Sequence, residues 1–193
     1  MKKSICSLAI VFLLSPAAYA ATYKIDPGHS SVGFKIRHLF SNVQGRFDQF
    51  EGTVDFDPQN SSAWATSATI QAASINTNME ARDKHLRSAD FFDVEKFPAV
   101  TFKSTGMSDA NQTGAKLNGA LTLHGVTKPV TLDLQIHGSG KDMQGNVRAG
   151  FTATTKINRK DFGLAWNKAI ETGGFVLGDD VDITIEVEAV LQP

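Results

Sequence analysis

The segment Val181–Leu191, "VDITIEVEAVL", alternates without a break. Val181, Ile183, Ile185, Val187, Ala189 and Leu191 fall on one face, and Asp182, Thr184, Glu186 and Glu188 on the other. A period of two is the mark of a strand with one buried and one wet face. Upstream the same pattern returns. "SVGFKIR" (31–37) sets Val32, Phe34 and Ile36 against Lys35 and Arg37, and "FEGTVDFDP" (50–58) sets Phe50, Gly52, Val54 and Phe56 against acids and threonine. Residues 63–73, 99–105 and 146–157 read as further strands. "KLNGALTLHGVTKPVTLDLQIHG" (116–138) reads as a hairpin, with arms near Lys116–Leu123 and Val130–His137 and a loop over residues 124–128. About eight strands without helix–strand alternation predict an all-β, antiparallel sandwich or barrel in one domain.

One stretch breaks the period. "NTNMEARDKHLRSADFF" (76–92) carries Thr77-x-x-Glu80, which has the form of a capping box. Glu80/Lys84 and Asp83/Arg87 are acid-first i,i+4 pairs. The spacing predicts a short helix over 78–89 whose charges largely pair with one another. Pro98 marks the return to extended chain.

The N-terminus has the form of a secretory signal peptide: Lys2 and Lys3, an apolar run Ile5–Leu14, Pro16, then Ala18-Tyr19-Ala20. Cleavage is expected after Ala20, leaving a domain over 21–193. The apolar run is too short for a stop-transfer helix. The single cysteine, Cys6, leaves with the signal, so the exported chain is expected to hold no disulfide, thiol nucleophile or thiolate metal site. Without Lys2 and Lys3 the balance is 17 basic to 20 acidic residues, which argues against nucleic acid.

Enzyme motifs are missing from the sequence. There is no G-x-S-x-G elbow, H-E-x-x-H pair, C-x-x-C-H haem attachment or Walker loop. Gly138-Ser139-Gly140 begins like a dinucleotide fingerprint, but Met143 stands where the third glycine belongs. The histidines 29, 38, 85, 124 and 137 show no metal-ligand spacing, so no metal is expected. Asp83 and His85 are two apart on a helix and do not face each other. Thirteen phenylalanines, with Trp64 and Trp166, are distributed among small residues such as Gly33, Gly52, Ala68, Ala120 and Ala153. If those small residues face inward, an eight-stranded barrel has room for one slender ligand.

"ARDKHLRSADFFDVEKFPAVTFKST" (81–105) resembles the signature of the YceI-like family, secreted bacterial proteins with a lipocalin-like barrel. "DPGHSSVGFKIRHLFSNVQGRF", "FEGTVDFDP", "GALTLHGVTKPVTLDLQ" and "AGFTATTKINRKDFGL" resemble its other blocks in order and spacing. The resemblance implies an eight-stranded antiparallel barrel with a short helix near one mouth. It implies a bore holding a long isoprenoid of quinone or polyprenyl phosphate type, binding without catalysis, and no required cofactor beyond that bound lipid or quinone. A periplasmic location, roles in transport, storage, sequestration or stress response, transient contact with inner-membrane proteins and a homodimer in some members belong to the same implication. His38 and Phe47 carry over from the opening block, and Arg82, Asp83, His85, Leu86, Arg87 and Phe91 from the signature.

The expected apolar wall is Phe34, Phe47, Phe50, Phe56, Trp64, Phe102, Phe151 and Trp166. The expected mouth is His38, Arg82, His85 and Arg87, with Leu86, Phe91 and Phe92 facing in. A lipid-modifying or hydrolytic enzyme using Asp83, His85 or His38 is the alternative, and a partner module with a filled core is the third.

Overall fold

The computed structural model describes residues 20–57, 59–60, 63–171 and 173–193. The expected signal peptide, up to Tyr19, lies outside the described residues. The strands are β1 (Ala21–Ile25), β2 (Ser31–His38), β3 (Ser41–Phe47), β4 (Phe50–Phe56), β5 (Ala65–Gln71), β6 (Ile75–Asn76), β7 (Ala99–Ser108), β8 (Gly114–Leu123), β9 (Val126–Lys141), β10 (Val147–Asn158) and β11 (Leu177–Leu191). The helix α1 spans Glu80–Arg87.

The expected eight-stranded antiparallel barrel is present. The ring runs β1-β4-β5-β7-β8-β9-β10-β11 and closes where Tyr23 pairs with Leu191 and Ile25 with Ala189. The remaining strands extend three of these. β1 and β2 lie along the same edge of β11, β1 opposite residues 189–191 and β2 opposite residues 177–186. Between them, Glu188 donates its N–H to Ser30 Oγ and accepts from Asp26 N and from Ser30 Oγ, so the interruption leaves no ladder group unpaired there. β3 and β4 are separated by Asp48 and Gln49, and β5 and β6 by a 3-10 turn, Ala72–Ser74. Ser74 closes both breaks, taking the N–H of Asp48 on its carbonyl and that of Gln49 on its hydroxyl. Eight long strands result, three of them bent.

β3 was not expected, because Gly45 interrupts its apolar alternation and the Leu39-Phe40 turn has no Gly or Asn to announce it; Leu39 itself is at φ 48°. The hairpin loop expected over 124–128 is a two-residue turn instead. His124 and Gly125 stand at φ 51° and 73°, and Leu123 pairs directly with Val126. Two left-handed residues in succession match the twist of the flanking strands.

The helix is shorter than the expected 78–89, and its cap is different. Met79 is the N-cap and supplies no side-chain bond. Neither expected i,i+4 ion pair forms. Asp83 turns inward to Thr77, and Arg87 donates to the carbonyls of Ala73 and Ile75. α1 and the segment after it fill the gap between β6 and the start of β7, where Ala72 N bonds Pro98 O.

Candidate functional site

Inward side chains of the ring enclose a cavity of about 280 Å³. At about 30 Å³ per water that is space for roughly nine waters, whereas packed cores hold few voids larger than one. The lining extends from His38, the last residue of β2, to Trp64 before β5, and follows the full bent length of the barrel. It is apolar except for His38, Asp55, Thr66, Thr77, Arg82, Thr155 and Arg159.

Close approaches of ring to backbone keep the bore open. A Cβ on Gly45 would lie 2.4 Å from Phe34 Cζ, and one on Gly119 2.3 Å from Phe102 Cζ. Each ring therefore occupies the space that a side chain on the glycine would take. Ile25 covers Gly52 in the same manner, its Cδ1 2.9 Å from a Cβ built there. Of the small residues expected to make room, Gly33, Ala68 and Ala153 line the cavity. Gly52 is covered, and Ala120, opposite in parity to Leu117 and Leu121, does not line it.

One end is closed by aromatics. Phe56 packs edge-on against Tyr23 (6.1 Å between centroids), Trp64 (4.5 Å) and Phe151 (5.1 Å), a geometry that ring quadrupoles favour. Trp64 is held by its indole N–H, which donates to Asp57 O. At the other end Leu86, Phe91 and Phe92 face the bore from α1 and the segment behind it. Phe92 meets Phe47 at 5.8 Å, and Phe91 meets Trp166 at 5.0 Å.

The structure brings together Phe34, Phe47, Phe50, Trp64, Phe102, Phe151, His38 and Arg82 as lining residues. Phe56, Trp166, His85 and Arg87 are placed behind the lining. Phe56 is core at the aromatic end. His85 meets Phe91 and Trp166 edge-on, 5.1 Å from each, and pairs with Asp90 at 2.8 Å, an acid that strand and helix periodicity had not singled out. Asp83 spends its buried carboxylate on Thr77. Asp83 and His85 thus have separate partners, Thr77 and Asp90, and do not form a relay.

Arg159 was missed. It follows β10 inside "NRKDFG", where Lys160 and Asp161 give the look of a surface turn, yet it is 3 % exposed and lines the bore. Its Nε donates to Gly178 O at 2.9 Å and its Nη1 to Trp166 O at 2.8 Å and to Leu164 O. Desolvation holds its guanidinium below the ordinary value, with Asp179 acting in the opposite direction. The only signal of its role in the sequence was position: the chain must turn inward after a barrel strand to cover the mouth.

Away from the bore, Asp26, His29 and Glu188 offer ligand atoms within 4.8 Å of one another, a convergence that residue spacing did not reveal. Arg148 already occupies that cluster, with Nη1 2.8 Å from Asp26 and 2.6 Å from Glu188, and Nε 2.7 Å from Asp142. Hydrogen bonding to Arg148 is the largest cause that lowers Asp26 and Asp142 to about 2.

Comparison with known proteins agrees with this architecture. Protein YceI of Escherichia coli O157:H7 is 44 % identical over 198 residues, covering all of both chains. The crystal structure of Campylobacter jejuni YceI protein superposes with a TM-score of 0.71 at 31 % identity, over 98 % of this chain and all of that one. A polyisoprenoid-binding domain from Saccharophagus degradans shares the fold at TM-score 0.64 and 16 % identity, over 90 % of this chain and 99 % of that one. A sequence profile of the YceI-like domain matches residues 23–189, and with these relatives it establishes that the chain belongs to the YceI-like family.

Proposed function

We propose that the protein holds one long isoprenoid, of quinone or polyprenyl phosphate type, in the barrel bore, and that it does so as a carrier, store or sequestering agent rather than as an enzyme. The observation that carries the reading is the cavity itself, an apolar space of about 280 Å³ lined from His38 to Trp64. Each CH₂ transferred into such a space contributes roughly 0.8 kcal/mol, so several isoprene units offset the cost of immobilising the chain. The name of the Saccharophagus degradans neighbour, a polyisoprenoid-binding domain of the same fold, supports the choice of ligand class.

On this reading the chain works in the periplasm after cleavage before Ala21. β1 begins at Ala21 and pairs it with Phe56, which fits a folded domain starting there. Organic extraction of protein purified from the periplasm, followed by mass spectrometry, tests the proposal. A prenyl lipid in a ratio near one per chain is expected. Protein that carries no lipid and takes up neither added prenyl quinone nor added prenyl phosphate overturns it.

A further inference from the structure

Among the described residues four large apolar side chains are exposed, and the fold brings two of them together from distant parts of the chain. Phe40, 96 % exposed, stands in the turn between β2 and β3, and Phe175, 53 % exposed, in the loop that enters β11. Hydrogen bonds tie the two turns to each other. Leu39 donates its N–H to Val176 O at 2.8 Å, and Arg37 donates from Nη1 to Leu39 O at 3.1 Å and from Nη2 to Phe175 O at 3.5 Å. The second loop is also bridged within itself, with Val176 N on Lys168 O at 2.9 Å and Ala169 paired with Phe175. A single exposed apolar side chain is ordinary, whereas apolar side chains grouped on a surface mark a place of contact. The location adds to this. His38 and Leu177 are paired partners on β2 and β11, and both line the bore. Phe40 lies two residues beyond one and Phe175 two residues before the other, so the exposed pair borders the bore at its His38 end.

The charges beside the pair are Arg37, Lys168 and Lys160, whose ammonium lies 5.8 Å from the centre of the Phe175 ring. Asp179 takes Lys160 at 2.9 Å, and Glu171 is the one acid in the loop, which leaves one positive charge in excess on a domain that is acidic as a whole. Exposed aromatics bordered by cations suit the interface of a bilayer, where the rings leave water and the cations meet anionic head groups. A long isoprenoid dissolves in bilayers and scarcely in water, so a bore that takes one has to meet a bilayer. We propose that Phe40 and Phe175 dock into the interface of a phospholipid bilayer and set the His38 end of the bore against it, so that the ligand passes between membrane and bore without crossing water. Docking stands on the exposed pair; the passage of ligand rests on the isoprenoid reading.

The test has two arms. In the first, protein purified from the periplasm is floated with vesicles of phosphatidylethanolamine and phosphatidylglycerol that hold no prenyl lipid. Wild type should float with them, and Phe40→Ser combined with Phe175→Ser should lower the vesicle affinity about tenfold or more, as expected when two phenylalanines no longer leave water. Met143→Ser removes an exposed apolar side chain from the turn between β9 and β10 and should float as wild type does. If the pair lowers Tm, Phe40→Ser alone is used, since that side chain is almost fully exposed. Wild type that stays out of the lipid layer, or a double variant that floats equally well, overturns docking. If both stay out and the double variant alone loses a dimer seen by analytical ultracentrifugation, the pair meets a second copy of this chain and docking is likewise overturned. In the second arm the vesicles carry deuterated ubiquinone or undecaprenyl phosphate, and the protein is analysed by mass spectrometry after the vesicles are removed. Transfer into wild type should quicken as vesicles are added, and transfer into the double variant should be slower. Equal rates overturn passage through the docked mouth. Wild type that floats yet takes up neither lipid refutes the isoprenoid reading, and passage with it, while docking stands.

Discussion

Asp83 on α1 accepts twice from Thr77, from its backbone N–H at 2.9 Å and from its hydroxyl at 2.5 Å. Both residues are buried, and the Thr77 hydroxyl also accepts from Arg82 Nε at 2.6 Å. Removing the carboxylate leaves a buried N–H and hydroxyl without their acceptor. Asp83→Ala is expected to destabilise the protein by about 1.5–3 kcal/mol, the range for hydrogen bonds to a charged group. Asp83→Asn should cost less, since its amide oxygen still accepts. Urea unfolding of the two variants checks the order.

Arg82 and Arg87 sit five residues apart on α1, on faces about 140° apart, and serve different ends. Arg87 donates to Ala73 O at 2.7 Å and Ile75 O at 2.9 Å, holding the helix to the 3-10 turn and β6. Arg87→Gln should lower Tm while leaving the relative affinity for prenyl phosphate and prenyl quinone as it was. Arg82 lines the cavity, and Arg82→Gln should change that ratio. Thermal melts paired with fluorescence titrations separate the two. Equal effects of both variants on the ratio would contradict the placement of Arg87 behind the lining.

The space inside depends on Gly119. A Cβ there would stand 2.3 Å from the Phe102 ring and 2.8 Å from Lys103 O. Gly119→Ala should push the ring into the bore, at a stability cost of about 1–3 kcal/mol for overpacking. Affinity for long prenyl quinones should drop more than affinity for short ones. Trp64→Ala should weaken prenyl phosphate and prenyl quinone alike. Folded variants that keep full affinity would show that the aromatics are ordinary core.

Arg148 ties the turn after β9 to the interruption between β1 and β2. Asp26 and Asp142 are lowered to about 2 from an ordinary 3.8, chiefly by their hydrogen bonds to it. A depressed carboxylate stabilises the fold above its unfolded-state value and ceases to do so as pH falls through its folded-state value. Wild type should therefore exceed Arg148→Met in Tm by a constant margin at neutral pH. The margin should shrink below about pH 4 and vanish near pH 2. A margin that widens on acidification would reverse the sign of the argument.

The same residue bears on metals. With the Arg148 guanidinium 2.8 Å from Asp26 and 2.6 Å from Glu188, a cation would have to displace it. Chelator treatment is expected to leave Tm unchanged. A fall of several degrees would reveal an ion held by Asp26, His29 and Glu188.

Local chemistry carried much of this fold into the sequence. Alternation such as Val181–Leu191 and Ser31–Arg37 marks which side chains face in, because a strand's faces repeat every two residues whatever lies beside it. The change of period near Glu80 announced the helix, and the inward faces of Phe34, Phe50, Ile183 and Ile185, which line the cavity, followed from parity. What needed the tertiary structure was non-local. The pairing of Tyr23 with Leu191 that closes the ring joins opposite ends of the domain. Packing against Tyr23, Trp64 and Phe151 put Phe56 in the core at the barrel end, and ring contacts with Phe91 and with each other took His85 and Trp166 behind the lining. Asp83 and Arg87 turned away from each other because Thr77 and the carbonyls of Ala73 and Ile75 offered them hydrogen bonds. Arg159 looks like one more charge in a polar turn. Only the tertiary structure brings the carbonyls of Leu164, Trp166 and Gly178 round its guanidinium and buries it.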